Sequence, residues 1–136
     1  MLSHGQKRLL SVATMLTLGQ DILILDEPTF GQDFKSSTNL LNFLKSLNEE
    51  GKTIIMITHD MSLVEKYANK VVVMNKGKII FEGITKDFFK HDEILKEAAL
   101  TLPPLLKLSK SLAEYDENLR GISSPEEFSY YFNQVE

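Results

Sequence analysis

Asp26 and Glu27 stand side by side in "ILILDEP", at the end of a run of branched apolar residues. Carboxylates in that position can hold a hard cation such as Mg²⁺ or polarise a water. His59 and Asp60 end a second such run, in "KTIIMITHD", and an imidazole there supplies a donor for a terminal phosphoryl oxygen. A third group lies in "LSHGQ", where Ser3 and Gln6 have the S-x-x-Q spacing of a capping box. Gly5 lets backbone approach a ligand closely. The helix predicted over 6–18 aims its positive end at whatever sits beside Ser3. Together these groups offer a cation ligand, a water-orienting base and neutral or positive donors, the parts that handling a phosphoryl group requires.

Each group alone also has a structural reading. The acid pair can be a strand end reaching solvent. His59 and Asp60 can cap the next helix. A capped helix with a glycine needs no ligand. The two apolar runs tip the balance, because they read as parallel strands that bring the acids and the histidine to one carboxyl edge, where open α/β sheets collect ligands.

The elements that must position these residues are legible in the hydrophobic pattern. Ile22–Leu25 and Thr53–Thr58 read as buried parallel strands. Between them, Leu40, Leu41, Phe43, Leu44 and Leu47 fall at helical spacing, with Gly51 as a stop. "MSLVEKYANK" reads as a short helix. Val71–Met74 and Lys78–Glu82 read as a hairpin around Asn75–Gly77. Beyond Gly83 the pattern predicts a helix over 85–100, a restart at Pro103 and Pro104, a polar link over 114–123, and a capped helix from Ser124. The expected fold is therefore α/β, with parallel strands, a terminal β-hairpin and a helical appendage over 84–136.

Composition narrows the classes. A length of 136 residues and 43% hydrophobic content allow one modest core. A net charge of −4 argues against general nucleic-acid binding. The chain has no cysteine, which removes disulfides and thiolate metal sites. No run reaches the length of a membrane span, so any service to a membrane is expected to be peripheral.

"LSHGQ", "ILILDEPTFGQD" and "IMITHD", in this order and at these intervals, resemble the signature motif, the Walker B motif with D-loop, and the switch histidine of ABC-type ATPases. "EPTFGQD" and the appendage's "LPPLLKL" resemble the ATPase subunits of energy-coupling-factor transporters. The resemblance runs from Leu2 to about Gly83 and implies a P-loop NTPase fold, with 1–83 as part of the nucleotide-binding domain. It implies ATP and Mg²⁺ as cofactors. By the same resemblance, Asp26 holds Mg²⁺, Glu27 acts as catalytic base, and His59 meets the γ-phosphate. Ser3, His4, Gly5 and Gln6 would face a nucleotide held by a second ATPase subunit in a head-to-tail dimer, and Asp33 would reach across to that subunit. His4 stands where the family usually has glycine. Transmembrane transporter subunits are the further partners implied, with uptake of a vitamin or metal-ion-like micronutrient as the coupled process.

The resemblance is partial. No G-x-x-x-x-G-K-[ST] occurs; "GKT" at Gly51–Thr53 has Ser46 where the first glycine belongs, and Gly51 closes a helix rather than opening one. The family's glutamine loop is also missing. The expectation is a C-terminal fragment of an ATP-hydrolysing subunit, inactive alone, with strand edges and apolar faces left open. The competing readings are a non-catalytic partner that lends its signature helix in trans, and part of a non-transport ABC ATPase.

Overall fold

The computed structural model describes residues 3–133. These fall into two compact units that divide between His59 and Asp60.

The first unit holds α1 (His4–Thr17), β1 (Ile22–Asp26), α2 (Phe34–Glu49) and β2 (Thr53–Ile57). Helix α1 starts on the capping box the spacing predicts: the Gln6 N–H donates to Ser3 Oγ at 3.2 Å, and the Ser3 N–H donates to Gln6 Oε1 at 2.9 Å. Asp33 caps α2, accepting from the Ser36 N–H at 2.9 Å and the Ser36 hydroxyl at 2.7 Å. Helix α2 ends at Gly51, whose φ of +98° suits glycine, as Lys52 N–H closes back on the Leu47 carbonyl at 3.0 Å. "GKT" therefore lies at a helix C-terminus, and the Lys52 ammonium pairs with Asp21 at 2.8 Å.

Strands β1 and β2 pair in parallel, from Ile22 opposite Thr53 to Asp26 opposite Ile57. The core of this unit joins Val12 of α1, Leu23 and Leu25 of β1, and Leu40, Leu44 and Leu47 of α2. Both helices thus cover one sheet face. The apolar runs alone read as strands buried on both faces, but one face is open, as the partial resemblance leads one to expect: Leu23 is 1% exposed, and its neighbour Ile24 is 60% exposed. Ile22, Ile55 and Ile57 share that open apolar face.

The second unit holds α3 (Met61–Tyr67), β3 (Lys70–Asn75), β4 (Lys78–Ile84), α4 (Thr85–Phe88), α5 (Asp92–Glu97), α6 (Pro104–Leu112) and α7 (Pro125–Asn133). The hairpin turns through Lys76 and Gly77, both at positive φ, as a two-residue connection demands. Phe88 is fully buried among Met61, Val64, Val73 and Leu95.

The expected continuous helix over 85–100 is two helices. The chain turns at Phe89–His91 and restarts with Asp92 and Glu93 in a new first turn, where the helix dipole favours acids. The expected polar link contains a 3₁₀ turn, Glu117–Leu119, pinned where the buried Ser109 hydroxyl donates to the Leu119 carbonyl at 2.6 Å. Helix α7 has its predicted capping box between Ser124 and Glu127.

Two predictions follow the packing and the caps. Leu23→Ala should cost about 2–5 kcal/mol in urea denaturation, whereas Ile24→Thr on the open face should stay within about 0.5 kcal/mol; equal losses would contradict the one-faced core. The Ser36 hydrogen bonds hold the Asp33 carboxyl below the usual aspartate range. A carboxylate depressed in the fold stabilises it above its unfolded pKa and loses that contribution as pH falls through the lowered value. Thermal melting across acid pH should therefore show a smaller acid-dependent loss for Asp33→Asn than for the wild-type chain.

Candidate functional site

The parallel register brings the ends of β1 and β2 to the same edge. The turn that leaves β1 places Glu27 at φ +41°, an uncommon conformation for a residue with a side chain. Its N–H donates to the Ile57 carbonyl at 2.8 Å, tying the turn to the end of β2. The Glu27 carboxylate then meets the residues that follow β2. Oε2 accepts from the Thr58 hydroxyl at 3.1 Å. Oε1 lies 2.6 Å from His59 Nδ1 and accepts from the His59 N–H at 3.3 Å.

Burial raises the Glu27 carboxyl, but the hydrogen bonds from His59 and Thr58 and the attraction of His59 outweigh it, and the group is held below the ordinary glutamate range. An ionised carboxylate only accepts, so His59 Nδ1 carries the proton between them. Glu27 is 34% exposed and His59 is 78% exposed. The pair is thus a charged acceptor with an attached donor, open to a reacting group.

Asp26 is the last, exposed residue of β1. Among the described residues no group of three His, Cys, Asp or Glu is placed to hold a metal ion by itself. One carboxylate at a strand end fits Mg²⁺, which is usually held by one or two carboxylates together with substrate phosphates.

Ser3 and Gln6 pair with each other in the cap of α1. Gly5 is buried where α1 meets α2: a Cβ there would lie 2.9 Å from Ser36 Cβ. The side chain of His4 lies outside the described residues, as do Met1 and Leu2. Asp60, read beside His59, caps α3 by accepting from the Ser62 and Leu63 N–H groups. The structure thus joins Glu27 to His59, Ser3 to Gln6, and Asp33 to Ser36.

Two residues that the pattern did not single out belong to this region. Arg8, half-buried on α1, donates from Nη2 to the carbonyls of Asp26 and Glu27 at 2.8 and 3.0 Å, and from Nε to that of Pro28 at 3.4 Å. Gln32 Nε2 donates to the same Pro28 carbonyl at 2.7 Å, while its buried Oε1 has no partner among the described residues. Both line a polar hollow of about 330 Å³ with Lys7, Ser11, Glu27 and Phe30. A basic residue on a helix followed by an acid-ended strand is too common a pattern to reveal this contact. A second hollow, of about 620 Å³ beside Arg120 and Tyr131, is lined by none of these groups.

A family model described as "AAA domain, putative AbiEii toxin, Type IV TA system" matches residues 1–65. The chain is 51% identical over 104 residues to a "Putative ABC transporter ATP-binding protein" of Methanosarcina acetivorans, covering 76% of this chain and 17% of that one. It is 40% identical over 131 residues to one from Staphylococcus aureus, covering 96% of this chain and 22% of that one. The chain therefore spans about a fifth of the length of the curated relatives it matches. Among solved structures it resembles cbiO1 of Clostridium perfringens, described as part of the ABC transporter complex cbiONQ. That match has 36% identity and a TM-score of 0.61, over 80% of this chain and 44% of that one. The dimeric ATP-binding cassette MJ0796, bound to ADP and Pi, matches at 29% identity and a TM-score of 0.55, over 62% of this chain and 36% of that one. With the acid-ended strand, the following histidine and the capped glycine helix in place, the chain belongs, over the length it spans, to the ATP-binding proteins of ABC transporters.

Proposed function

We propose that this chain forms the signature, Walker B and switch-histidine part of an ATPase subunit that couples ATP hydrolysis to import, of the energy-coupling-factor type. The observation that carries this reading is the Glu27–His59 pair, formed across the parallel strand ends at 2.6 Å. Glu27, ionised, orients and deprotonates the attacking water. His59, whose Nδ1 is engaged by Glu27, is held at the edge where a γ-phosphate would be met. Asp26 would hold Mg²⁺, which when bound neutralises charge on the phosphates. The start of α1 at Ser3, His4 and Gln6 is assigned to the nucleotide of a second ATPase subunit, while Gly5 packs against Ser36 of α2. Asp33, fixed as the cap of α2, presents the D-loop to that same partner. Residues 1–83 make this part of the nucleotide-binding domain and 84–136 its helical appendage, whose Phe88 and Leu95 pack into the chain's own core.

The whole complex includes transmembrane subunits, and a vitamin or metal-ion-like micronutrient is the cargo. Among the described residues no helix is long and apolar enough to cross a membrane; the place assigned to the chain in this reading is peripheral, at the cytoplasmic face. The chain contains no phosphate-loop motif, so hydrolysis requires that a phosphate loop be supplied. A second reading, a non-catalytic partner lending only α1, draws on the intact capping box. The assembled Glu27–His59 pair favours the catalytic reading over it.

Two measurements test this. The purified chain alone should release no phosphate from ATP; steady turnover abolished by Glu27→Gln would contradict the need for a supplied phosphate loop. In a subunit restored with that loop, Glu27→Gln should still bind ATP while hydrolysis falls about a hundredfold or more. A mixed dimer should then place Ser3→Arg. If its defect falls on the same nucleotide site as a disabled phosphate loop in the partner, the signature acts in trans; defects at two separate sites would refute that assignment.

A further inference from the structure

We propose that Arg8 is a positioning residue: its guanidinium clamps the turn after β1 and so sets the direction in which Glu27 presents its carboxylate to His59. The inference rests on the proposed role of Glu27.

Glu27 sits at φ +41°. A side-chain-bearing residue keeps that conformation only where its surroundings over-determine it. The turn has a backbone tie on one side, the Glu27 N–H to the Ile57 carbonyl at 2.8 Å, and an internal closure, the Phe30 N–H to the Glu27 carbonyl at 3.1 Å. Arg8 supplies the tie from α1. It reaches the successive carbonyls of Asp26, Glu27 and Pro28, which point their oxygens into one planar fork of donors. Lysine offers a single point charge and cannot span such a row, which is why arginine is the fitting residue. Gln32 adds a donor to the Pro28 carbonyl at 2.7 Å, so the proline end of the turn is held twice.

The consequence is directional. Rotation of the Glu27 peptide would release its carbonyl from Arg8 and swing the carboxylate away from His59 Nδ1. Arg8 also lies on the helix whose cap carries Ser3 and Gln6, so the clamp ties α1 to the turn that carries Glu27.

The test uses the full chain and reads the pair without nucleotide. The ring-nitrogen NMR resonance of His59 is compared in the wild type, Glu27→Ala, Arg8→Ala and Arg8→Lys, with circular dichroism confirming the fold. If Arg8 positions Glu27, the Nδ1 resonance of Arg8→Ala moves most of the way to that of Glu27→Ala, and Arg8→Lys falls between. A wild-type resonance in folded Arg8→Ala overturns the proposal. Should Arg8→Ala lose its fold, Arg8→Lys decides, since it keeps the charge and alkyl stem: a displaced resonance supports the clamp and a wild-type one refutes it. No hydrolysis enters this readout, so it stands or falls separately from the ATPase reading. In a hydrolysing subunit carrying these residues, Arg8→Lys should lower kcat about tenfold with KM for ATP unchanged; a change in KM alone would count against positioning.

Discussion

The parallel pairing of β1 with β2 is the constraint on which the site depends. Its register sets Asp26 opposite Ile57, so the residues that follow each strand leave the sheet at one edge. A slip of one residue would exchange the buried and open faces of a strand and remove Leu23 and Leu25 from the core. It would also carry Glu27 away from Thr58 and His59. The packing of Leu40, Leu44 and Leu47 against Leu23 and Leu25 is therefore what keeps a carboxylate and an imidazole within hydrogen-bond reach.

Opposed effects meet at Glu27. Burial disfavours its charge, and the donors of His59 and Thr58 favour it. The donors win, which leaves an ionised carboxylate that is only partly exposed and is oriented by its contact with His59. The backbone beneath it is held in an unfavourable conformation by ties from β2 and from α1. A side-chain-bearing residue keeps such a conformation only where its surroundings over-determine it.

The second unit follows a different logic. Its hairpin and short helices gather around Phe88, and polar side chains lock the joints. Thr85 Oγ1 donates to the Ala68 carbonyl at 2.6 Å, and Asn75 Nδ2 donates to the Glu97 carbonyl at 2.9 Å. A segment that reads as one helix breaks in two here, because the acids at Asp92 and Glu93 suit a new first turn.

The caps at Ser3 and Ser124, the stop at Gly51, the hairpin turn and the acids that end β1 were all readable from local spacing. Each rests on partners within a few residues, where residue type and interval decide the outcome. The order of "LSHGQ", "ILILDEPTFGQD" and "IMITHD" along the chain also marks the family. Tertiary structure alone decided the rest. It put α1 and α2 on the same face of the parallel pair. It joined Glu27 to His59 across 32 residues of sequence and brought Arg8 to carbonyls 18 to 20 residues away. Such contacts depend on strand register and helix placement, which follow from how the whole core packs, and no short window of sequence records them.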